Sequence, residues 1–352
     1  LGDFYEMFFD DAKTASKELE LVLTGRDCGE EERSPMCGVP FHSADGYIAR
    51  LVAKGYKVAI CEQMEDPAAA KGIVRRDVIR VITPGTVIES SMLDESKNNY
   101  LASVCATNGN VGMCFIDIST GEVNLTEFNE NVEQRVINEM GRYNPTEIIL
   151  NKVIVSFNTR KDFISKKLEA SVELLIEKFE FSNAELLCKE HFNTNDLTTL
   201  SLNQRDTAVC ALGAALSYLK STQKRDLENI KNINFYTDAK FMSLGISAIR
   251  NLELLETMRD RDRKGSLLWV LDKTKTAMGK RMLRSFIERP LYDSVEISKR
   301  LNAVDELYNT TEMRENETQL MVSVYDMERL MTRIVYNTAD AKSIGIFHEI
   351  KN

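Results

Sequence analysis

The sequence predicts a multidomain protein of mixed class, with two α/β units followed by an all-helical unit. Its 352 residues are enough for two or three domains that each bury a hydrophobic core. From about Phe241 onward, the apolar residues change from the alternation typical of strands to the three- and four-residue spacing typical of helices. We therefore place the domains at residues 1–88, 99–220 and 241–352, with a polar linker at Glu89–Asn99 between the first two.

The composition is that of an ordinary globular protein, with 28% charged and 43% hydrophobic residues. A net charge of −9 argues against a basic surface all over the protein, but a local basic face that binds nucleic acid is compatible with it. The seven cysteines form no C-x-x-C pair and the three histidines are far apart, so we predict reduced cysteines and no metal site. No apolar run approaches the ~18 residues of a membrane span and no signal peptide is recognisable, which favours a cytoplasmic protein without a membrane partner.

The first unit is predicted to be a small mixed α/β domain. Asp10 and Asp11 are expected to cap a helix, because apolar residues follow them at helical spacing. Ser43 is expected to cap a second helix. Short runs rich in β-branched residues at 57–61 and 74–82 predict strands.

The second unit is predicted to begin with three antiparallel strands. Turn signals such as Asn108-Gly109 separate three strand-like runs: Tyr100–Ala106, Val111–Ile118 and Glu122–Phe128. A helical pattern then starts at Val132, a strand is predicted at Glu147–Leu150, and further helices are predicted after Asn183 and Thr207. This order is typical of an α/β domain.

The third unit has helical patterns only. One amphipathic helix is predicted across Leu244–Met258, ending before Gly265. The remaining predicted helices are Ser266–Asp272, Ala277–Glu288, Ser294–Tyr308 and one from Tyr325 to the end of the chain.

Short segments along the chain match, in order and spacing, the motifs of one family. They are Gly2–Phe8 (Gly-Asp-Phe-Tyr-Glu-Met-Phe), Pro35–His42, Ile60–Gln63, Thr83–Thr86, Asn251–Leu254, Gly265–Asp272, Thr276–Arg281, Arg289–Leu291 and Arg300–Val304. The sequence thereby resembles the MutS family of DNA-mismatch-recognising proteins, most closely in its first 90 or so residues and from about residue 243 onward. Gly245 and Ala248 depart from the family pattern, which often has an acid and a threonine there, so the resemblance does not define the start of that helix.

The resemblance implies an identity for each unit. The first would be the mismatch-recognition domain, the second a connector domain with a ribonuclease-H-like fold, and the third part of the helical core or lever domain. The function implied is DNA mismatch recognition in mismatch repair, with double-stranded DNA containing mispairs or small insertion loops as the ligand. Full-length members of the family act as homodimers with a MutL-type repair partner.

The resemblance also implies that this chain is a non-enzymatic part of a longer protein. The chain begins with leucine and ends within a helical pattern, so we expect a fragment. Family members bind ATP and Mg²⁺ in an ATPase domain, but the sequence contains no G-x-x-x-x-G-K-[ST] phosphate-binding loop. We therefore predict no cofactor and no enzymatic activity for the chain itself.

By resemblance, Phe4 and Glu6 are the pair that contacts the mispaired base. A phenylalanine inserted from the minor groove unstacks a base step and stabilises a kink, which costs less where a pair is already poorly stacked. If the segment is extended, Glu6 lies on the same face as Phe4, while Tyr5 points the other way and packs. Glu6 would accept a hydrogen bond from a displaced base, or donate one when protonated, and its charge would oppose binding to normal duplex. The alternative from the residues alone is that the aromatics belong to the core and Glu6 is an exposed acid or a cap.

Four further residues are candidates for DNA contacts. Arg76 and Arg80 belong to a basic cluster that also includes Lys71 and Arg75, and they would bind phosphates. A solvated strand edge is an equally good interpretation of that cluster. Val39 and Pro40 are a possible second apolar contact in the groove.

The main alternative function is a metal-dependent nuclease. Ribonuclease-H-like enzymes hold two metal ions with clustered carboxylates, and Asp117 and Glu122 lie on or near predicted strands of the second unit. The sequence offers no clear further acids to complete such a site, and fold alone is weak evidence of activity.

Overall fold

The computed structural model of the chain describes residues 3–27, 29, 33–65, 74–151, 170–237, 241–242, 244–339 and 345. Gly2 and Lys71, which the sequence singled out, lie outside these residues, as does almost all of the predicted C-terminal helix beyond residue 339. The multidomain mixed α/β class is confirmed, since sheets and helices form the first two thirds of the chain and helices dominate the last third.

The first sheet contains three antiparallel strands, in the order β1 (Phe4–Phe8), β3 (Ser34–Pro40) and β2 (Thr24–Arg26). Its inner face packs against two helices, α1 (Phe9–Leu19) and α2 (Ala44–Ala53). A strand presents alternate side chains to opposite faces, so one set of side chains joins this core and the other set does not. The core residues of the two helices are Ala12, Ala15, Leu19, Ile48, Leu51 and Val52.

The caps of these two helices differ from the prediction. Asp10 and Asp11 lie in the first turn of α1, whose N-cap is Phe8, so they complement the helix dipole without capping it. Ser43 is at the N-cap position of α2, but its hydroxyl donates to the Pro40 carbonyl at 3.3 Å and makes no cap bond.

A separate antiparallel pair completes the first unit. β4 (Val58–Gln63) and β5 (Arg76–Ile82) pair with a register shift between Ile60 and Cys61. Both strands agree with the prediction to within about two residues.

The second sheet has six strands in the order β10-β9-β6-β7-β8-β11. The strands are β6 (Leu101–Thr107), β7 (Asn110–Asp117), β8 (Glu122–Phe128), β9 (Glu147–Leu150), β10 (Ser171–Leu174) and β11 (Asn234–Phe235). The first three form an antiparallel meander, whereas β9 pairs in parallel with β6, β10 with β9, and β11 with β8. The sheet therefore continues past residue 220, where the sequence placed the end of this domain.

Helices cover both faces of the second sheet. α3 (Val132–Tyr143) packs on one face, while α4 (Phe181–His191) and α5 (Asp206–Gln223) pack on the other. α5 is buried along nearly its whole length, which explains why its sequence is apolar on all sides.

The last third of the chain consists of helices and one isolated bridge between Phe241 and Leu291 within the described residues. Its helices are α6 (Ile246–Asn251), α7 (Leu267–Leu271), α8 (Ala277–Glu288), α9 (Ser294–Asn309), α10 (Thr311–Val322) and α11 (Met327–Val335). The single helix predicted over Leu244–Met258 is wrong. α6 ends at Asn251, Glu253 adopts a left-handed backbone with φ 48°, and its carbonyl accepts from the amide of Leu267 at 3.0 Å.

Two arginines of the helical region bind the segment that joins the first two units. Arg281 donates to the carbonyl of Glu95 at 3.3 Å. Arg329 donates to the carbonyls of Asp94 and Lys97 at 2.9 and 2.8 Å. The joining segment is thus held from the third part of the chain through its backbone.

A buried glutamate connects the first unit to the second. Glu147 of β9 accepts from the hydroxyls of Thr83 and Tyr218 and, at 3.0 Å, from the amide of Gly85. The segment Thr83–Thr86 is therefore a structural contact, and it requires glycine because a Cβ at residue 85 would lie 2.8 Å from the Glu147 Cβ.

We expect Gly85→Ala to lower the free energy of unfolding by about 1–3 kcal/mol, the usual cost of overpacking a buried site. Urea unfolding at neutral pH measures this change. Gly46→Ala is the matched control, because a Cβ at residue 46 in α2 meets nothing within 4 Å and alanine favours helices. Equal stabilities of the two variants would contradict the proposed close contact.

Candidate nucleic-acid interface

The candidate site is the outer face of the first sheet, which points away from α1 and α2. Directly paired residues of antiparallel strands share a face. Phe4 pairs with Pro40, Glu6 with Gly38 and Phe8 with Met36, while Thr24 pairs with Met36 and Arg26 with Ser34. We define the outer face by Phe4, Glu6, Phe8, Arg26 and Pro40.

Phe4 is half exposed on this face, with 50% of its surface accessible. Its directly paired residue is Pro40 and its diagonal neighbour is Gly38, where a Cβ would lie 3.8 Å from Phe4 Cδ1, 3.7 Å from Glu6 Cγ and 3.1 Å from the Tyr5 carbonyl oxygen. The absence of a side chain at residue 38 thus leaves space in which the Phe4 and Glu6 side chains lie next to each other. The predicted placement of Phe4 and Glu6 on one face agrees with this geometry.

Glu6 forms an ion pair across the sheet. Arg26 Nη1 donates to Glu6 Oε2 at 2.6 Å, and the guanidinium carbon lies 6.0 Å from the centre of the Phe8 ring. The Glu6 side chain is only 16% exposed, against 42% for that of Arg26. Glu6 is therefore neither a helix cap nor a freely solvated acid.

Tyr5 lies on the opposite, inner face, as predicted. Its hydroxyl donates to Glu62 of β4, and its ring lies 5.6 Å from that of Phe41. Burial raises the pKa of the Tyr5 hydroxyl, and the Glu62 carboxylate raises it further. Tyr5 thus links the first sheet to the β4–β5 pair and has a packing role.

Val39 and Pro40 face opposite sides of the first sheet. Val39 pairs with Tyr5 and is buried in the inner core, so its side chain does not line the outer face. This corrects the idea that both residues form a second apolar contact: strand alternation sends Val39 inward and leaves Pro40 beside Phe4.

Arg76 and Arg80 differ in their exposure to solvent. Arg76, the first residue of β5, is exposed. Arg80 is mostly buried and forms an ion pair with Glu89, with a further bond to the Thr86 carbonyl at 3.2 Å. It lines a cavity of about 390 Å³ together with Tyr5, on the inner side of the first sheet. In this conformation Arg80 faces away from Phe4, and a phosphate contact by Arg80 would require its ion pair to open.

Asp117 and Glu122 form part of a buried hydrogen-bond network. The Asn98 side-chain amide donates to both carboxylates at 2.9 Å, and Asp117 also accepts from the Ser119 hydroxyl at 2.7 Å. Burial raises the pKa of Asp117 despite these bonds. Within the part of the chain that the structure describes, no three His, Cys, Asp or Glu side chains are placed to hold a metal ion. The nuclease alternative is not supported.

Arg26 is the residue of the outer face that the sequence did not single out. It lies in β2, a three-residue strand that the sequence did not predict, and the pairing of β2 with β3 is non-local.

Family models described as MutS domain I, MutS domain II and MutS domain III match residues 1–91, 99–231 and 247–351. The chain belongs to the MutS family. The outer face lies entirely within the region matched by MutS domain I.

Curated relatives support the same assignment. The chain is 51% identical over 346 residues to the DNA mismatch repair protein MutS of Ruminiclostridium cellulolyticum, covering 98% of this chain and 39% of the relative. It is 47% identical over 355 residues to the protein of that name from Acetivibrio thermocellus, covering 99% of this chain and 40% of the relative. The chain thus spans about two fifths of the length of these MutS proteins. Among its described helices, none has the length and apolar character needed to cross a membrane.

Proposed function

We propose that this chain recognises mismatched or unpaired bases in duplex DNA and serves in DNA mismatch repair. The observation that supports the proposal most directly is the half-exposed Phe4 next to Glu6 on the outer face, in the part of the chain that resembles MutS domain I. Relatives that match nearly the whole chain are DNA mismatch repair proteins.

The chemistry of the pair suits recognition without a sequence code. The flat ring of Phe4 stacks on any base, and insertion from the minor groove favours steps that are already weakly stacked. Glu6 lies beside it and offers carboxylate oxygens to the edge of a displaced base. Pro40 adds apolar surface next to Phe4, and Arg76 is an exposed cation that would bind phosphate.

The proposal includes the finer assignments that the family implies. Residues 1–88 would be the mismatch-binding domain. The second unit, predicted at 99–220 and extended by β11 to Phe235, would be a ribonuclease-H-like connector domain, and residues 241–352 would be part of the core or lever domain. An antiparallel meander followed by two parallel strands supports the second assignment. ATP, Mg²⁺, a second subunit and a MutL-type partner would act with the full-length protein, in the cytoplasm.

The proposal predicts tighter binding to a G·T duplex than to its G·C parent. A protein extended to the length of its relatives should be titrated into both labelled duplexes at one salt concentration, because affinity for DNA depends steeply on salt. A duplex with a single unpaired base is the third substrate. Equal affinity for all three duplexes would refute the proposed function.

A further inference from the structure

We propose that Arg26 is a positioning residue for Glu6, and that it determines specificity by compensating the Glu6 charge when duplex DNA approaches. This inference rests on the proposed function and assigns a role to a residue outside the Phe4–Glu6 pair.

Glu6 and Arg26 lie on strands that are not neighbours. β3 separates β1 from β2, so their side chains meet only by passing over β3. The residue of β3 opposite Glu6 is Gly38 and the one opposite Arg26 is Ser34, so the ion pair runs diagonally across β3, past the register position of Met36. A Cβ at residue 38 would make an ordinary contact with the Glu6 Cγ at 3.7 Å but a tight one with the Tyr5 carbonyl oxygen at 3.1 Å, so glycine lets β1 and β3 approach closely beside Glu6.

Arg26 is itself held in place. Its guanidinium lies between the Glu6 carboxylate, 2.6 Å from Nη1, and the Phe8 ring, 6.0 Å from its centre. A cation over an aromatic ring gains further attraction. Phe4, Glu6 and Phe8 thus follow one another on the outer face of β1, and Arg26 reaches over β3 to contact the last two.

The pair has two consequences for DNA binding. First, it fixes the carboxylate near Phe4, where a displaced base would meet it. Second, the positive charge of Arg26 offsets the negative charge of Glu6 on a face that would approach phosphates. The balance of charge on such a face affects which ligands bind and which are rejected. Without Arg26, Glu6 would repel every duplex and would lose its fixed position.

A double-mutant cycle tests this role. Arg26→Ala should weaken binding to the G·C duplex by roughly two- to fivefold, the range expected for a partly exposed ion pair. It should also reduce the G·T over G·C preference. In the Glu6→Ala background the same substitution should change neither quantity, because the charge that Arg26 compensates is gone. Arg26→Lys, which keeps the charge but loses the planar fork, should restore affinity for G·C more fully than preference for G·T.

The controls separate this role from its rivals. Lys54→Ala removes a similarly exposed ion pair, that with Glu18 at 2.7 Å between α1 and α2, and should leave DNA affinity unchanged. If Arg26 instead binds a phosphate directly, Arg26→Ala will weaken binding equally with and without Glu6. The slope of log K against the logarithm of the salt concentration will then become less steep by about 0.9. That result overturns the inference.

The proposed function fails by a different measurement. It is refuted if the wild-type protein shows no preference for G·T over G·C, regardless of how the Arg26 substitutions affect binding. The role of Arg26 is refuted if the cycle on the G·C duplex shows no coupling, even in a protein that discriminates normally.

Discussion

Phe4→Ala is expected to abolish the preference of the full-length protein for a G·T duplex over its G·C parent. Stacking of an aromatic side chain on a base contributes about 1–3 kcal/mol, so the affinity for G·T should fall roughly 5- to 150-fold. The affinity for the matched duplex should change little, because its bases stay stacked and give Phe4 no partner. Titration of both labelled duplexes at fixed salt provides the ratio.

Phe9→Ala is the matched control for this substitution. Phe9 is 63% exposed at the start of α1, five residues from Phe4, and it does not belong to the outer face. Removing it tests whether the loss of any exposed phenylalanine lowers affinity. A wild-type ratio in Phe4→Ala, or an equal loss in Phe9→Ala, would show that Phe4 is a structural residue and that the site lies elsewhere.

Local patterns in the sequence were sufficient to predict the meander of the second sheet. β6, β7 and β8 alternate or run apolar over seven or eight residues, and Asn108-Gly109 adopts positive φ of 52° and 84°, as a tight hairpin turn demands. β9 and α8 also match their predicted bounds, since each has clear flanking signals. Interactions between residues close in the sequence determine these elements.

Elements that depend on distant partners were missed or misplaced. β10 and β11 are short and form by parallel pairing with strands far along the chain. α10 was missed because its apolar residues are confined to Met313 and the three at its end, Leu320 to Val322, which form no stripe at helical spacing. Leu244–Met258 has helical spacing, but the amides of Leu267 and Leu268 bind the carbonyls of Glu253 and Leu254, which ends the helix early.

For the candidate site, the sequence predicted only what strand alternation determines, namely which side chains of β1 share a face. An extended β1 places Phe4 and Glu6 together and Tyr5 opposite, and this needs only a period of two. The inward position of Val39 follows from its pairing with Tyr5, and the burial of Arg80 from its ion pair with Glu89. Neither pairing is visible in the sequence, and the same holds for the Arg26–Glu6 contact.

The helical region contains a mostly buried ion pair that should contribute strongly to stability. Arg281 of α8 is 4% exposed in its side chain and donates to both Asp326 oxygens at 2.7 and 2.8 Å, and to Glu328 at 2.6 Å. The acids belong to the start of α11, and Asp326 also accepts from the amide of Arg329 as the helix cap. The pair therefore fastens α11 to α8 and, through the Glu95 carbonyl, to the segment between the first two units.

Arg281→Ala is expected to lower the free energy of unfolding by about 3 kcal/mol at pH 7. Removing Arg281 leaves the mostly buried Asp326 without its ion-pair partner, and the cost falls at the lower end of the range for broken buried pairs because Arg329 remains nearby and Glu328 is half exposed. Lys299→Ala is the control, since that lysine forms an exposed pair with Glu296 and its loss should cost less than about 0.5 kcal/mol. Urea unfolding followed by the helical signal measures both variants.

The cost of Arg281→Ala should also depend on pH in a defined direction. Burial alone would raise the pKa of Asp326, but the hydrogen bonds and charge of Arg281 outweigh it and hold that pKa below the ordinary value of 3.8. A depressed carboxyl pKa stabilises the folded protein above the unfolded value, and the contribution is lost as the pH falls through the folded value. The difference between the wild type and Arg281→Ala should therefore be constant near neutral pH and shrink below pH 3.8. A difference that stays the same or grows on acidification would show that Arg281 stabilises α11 by packing alone.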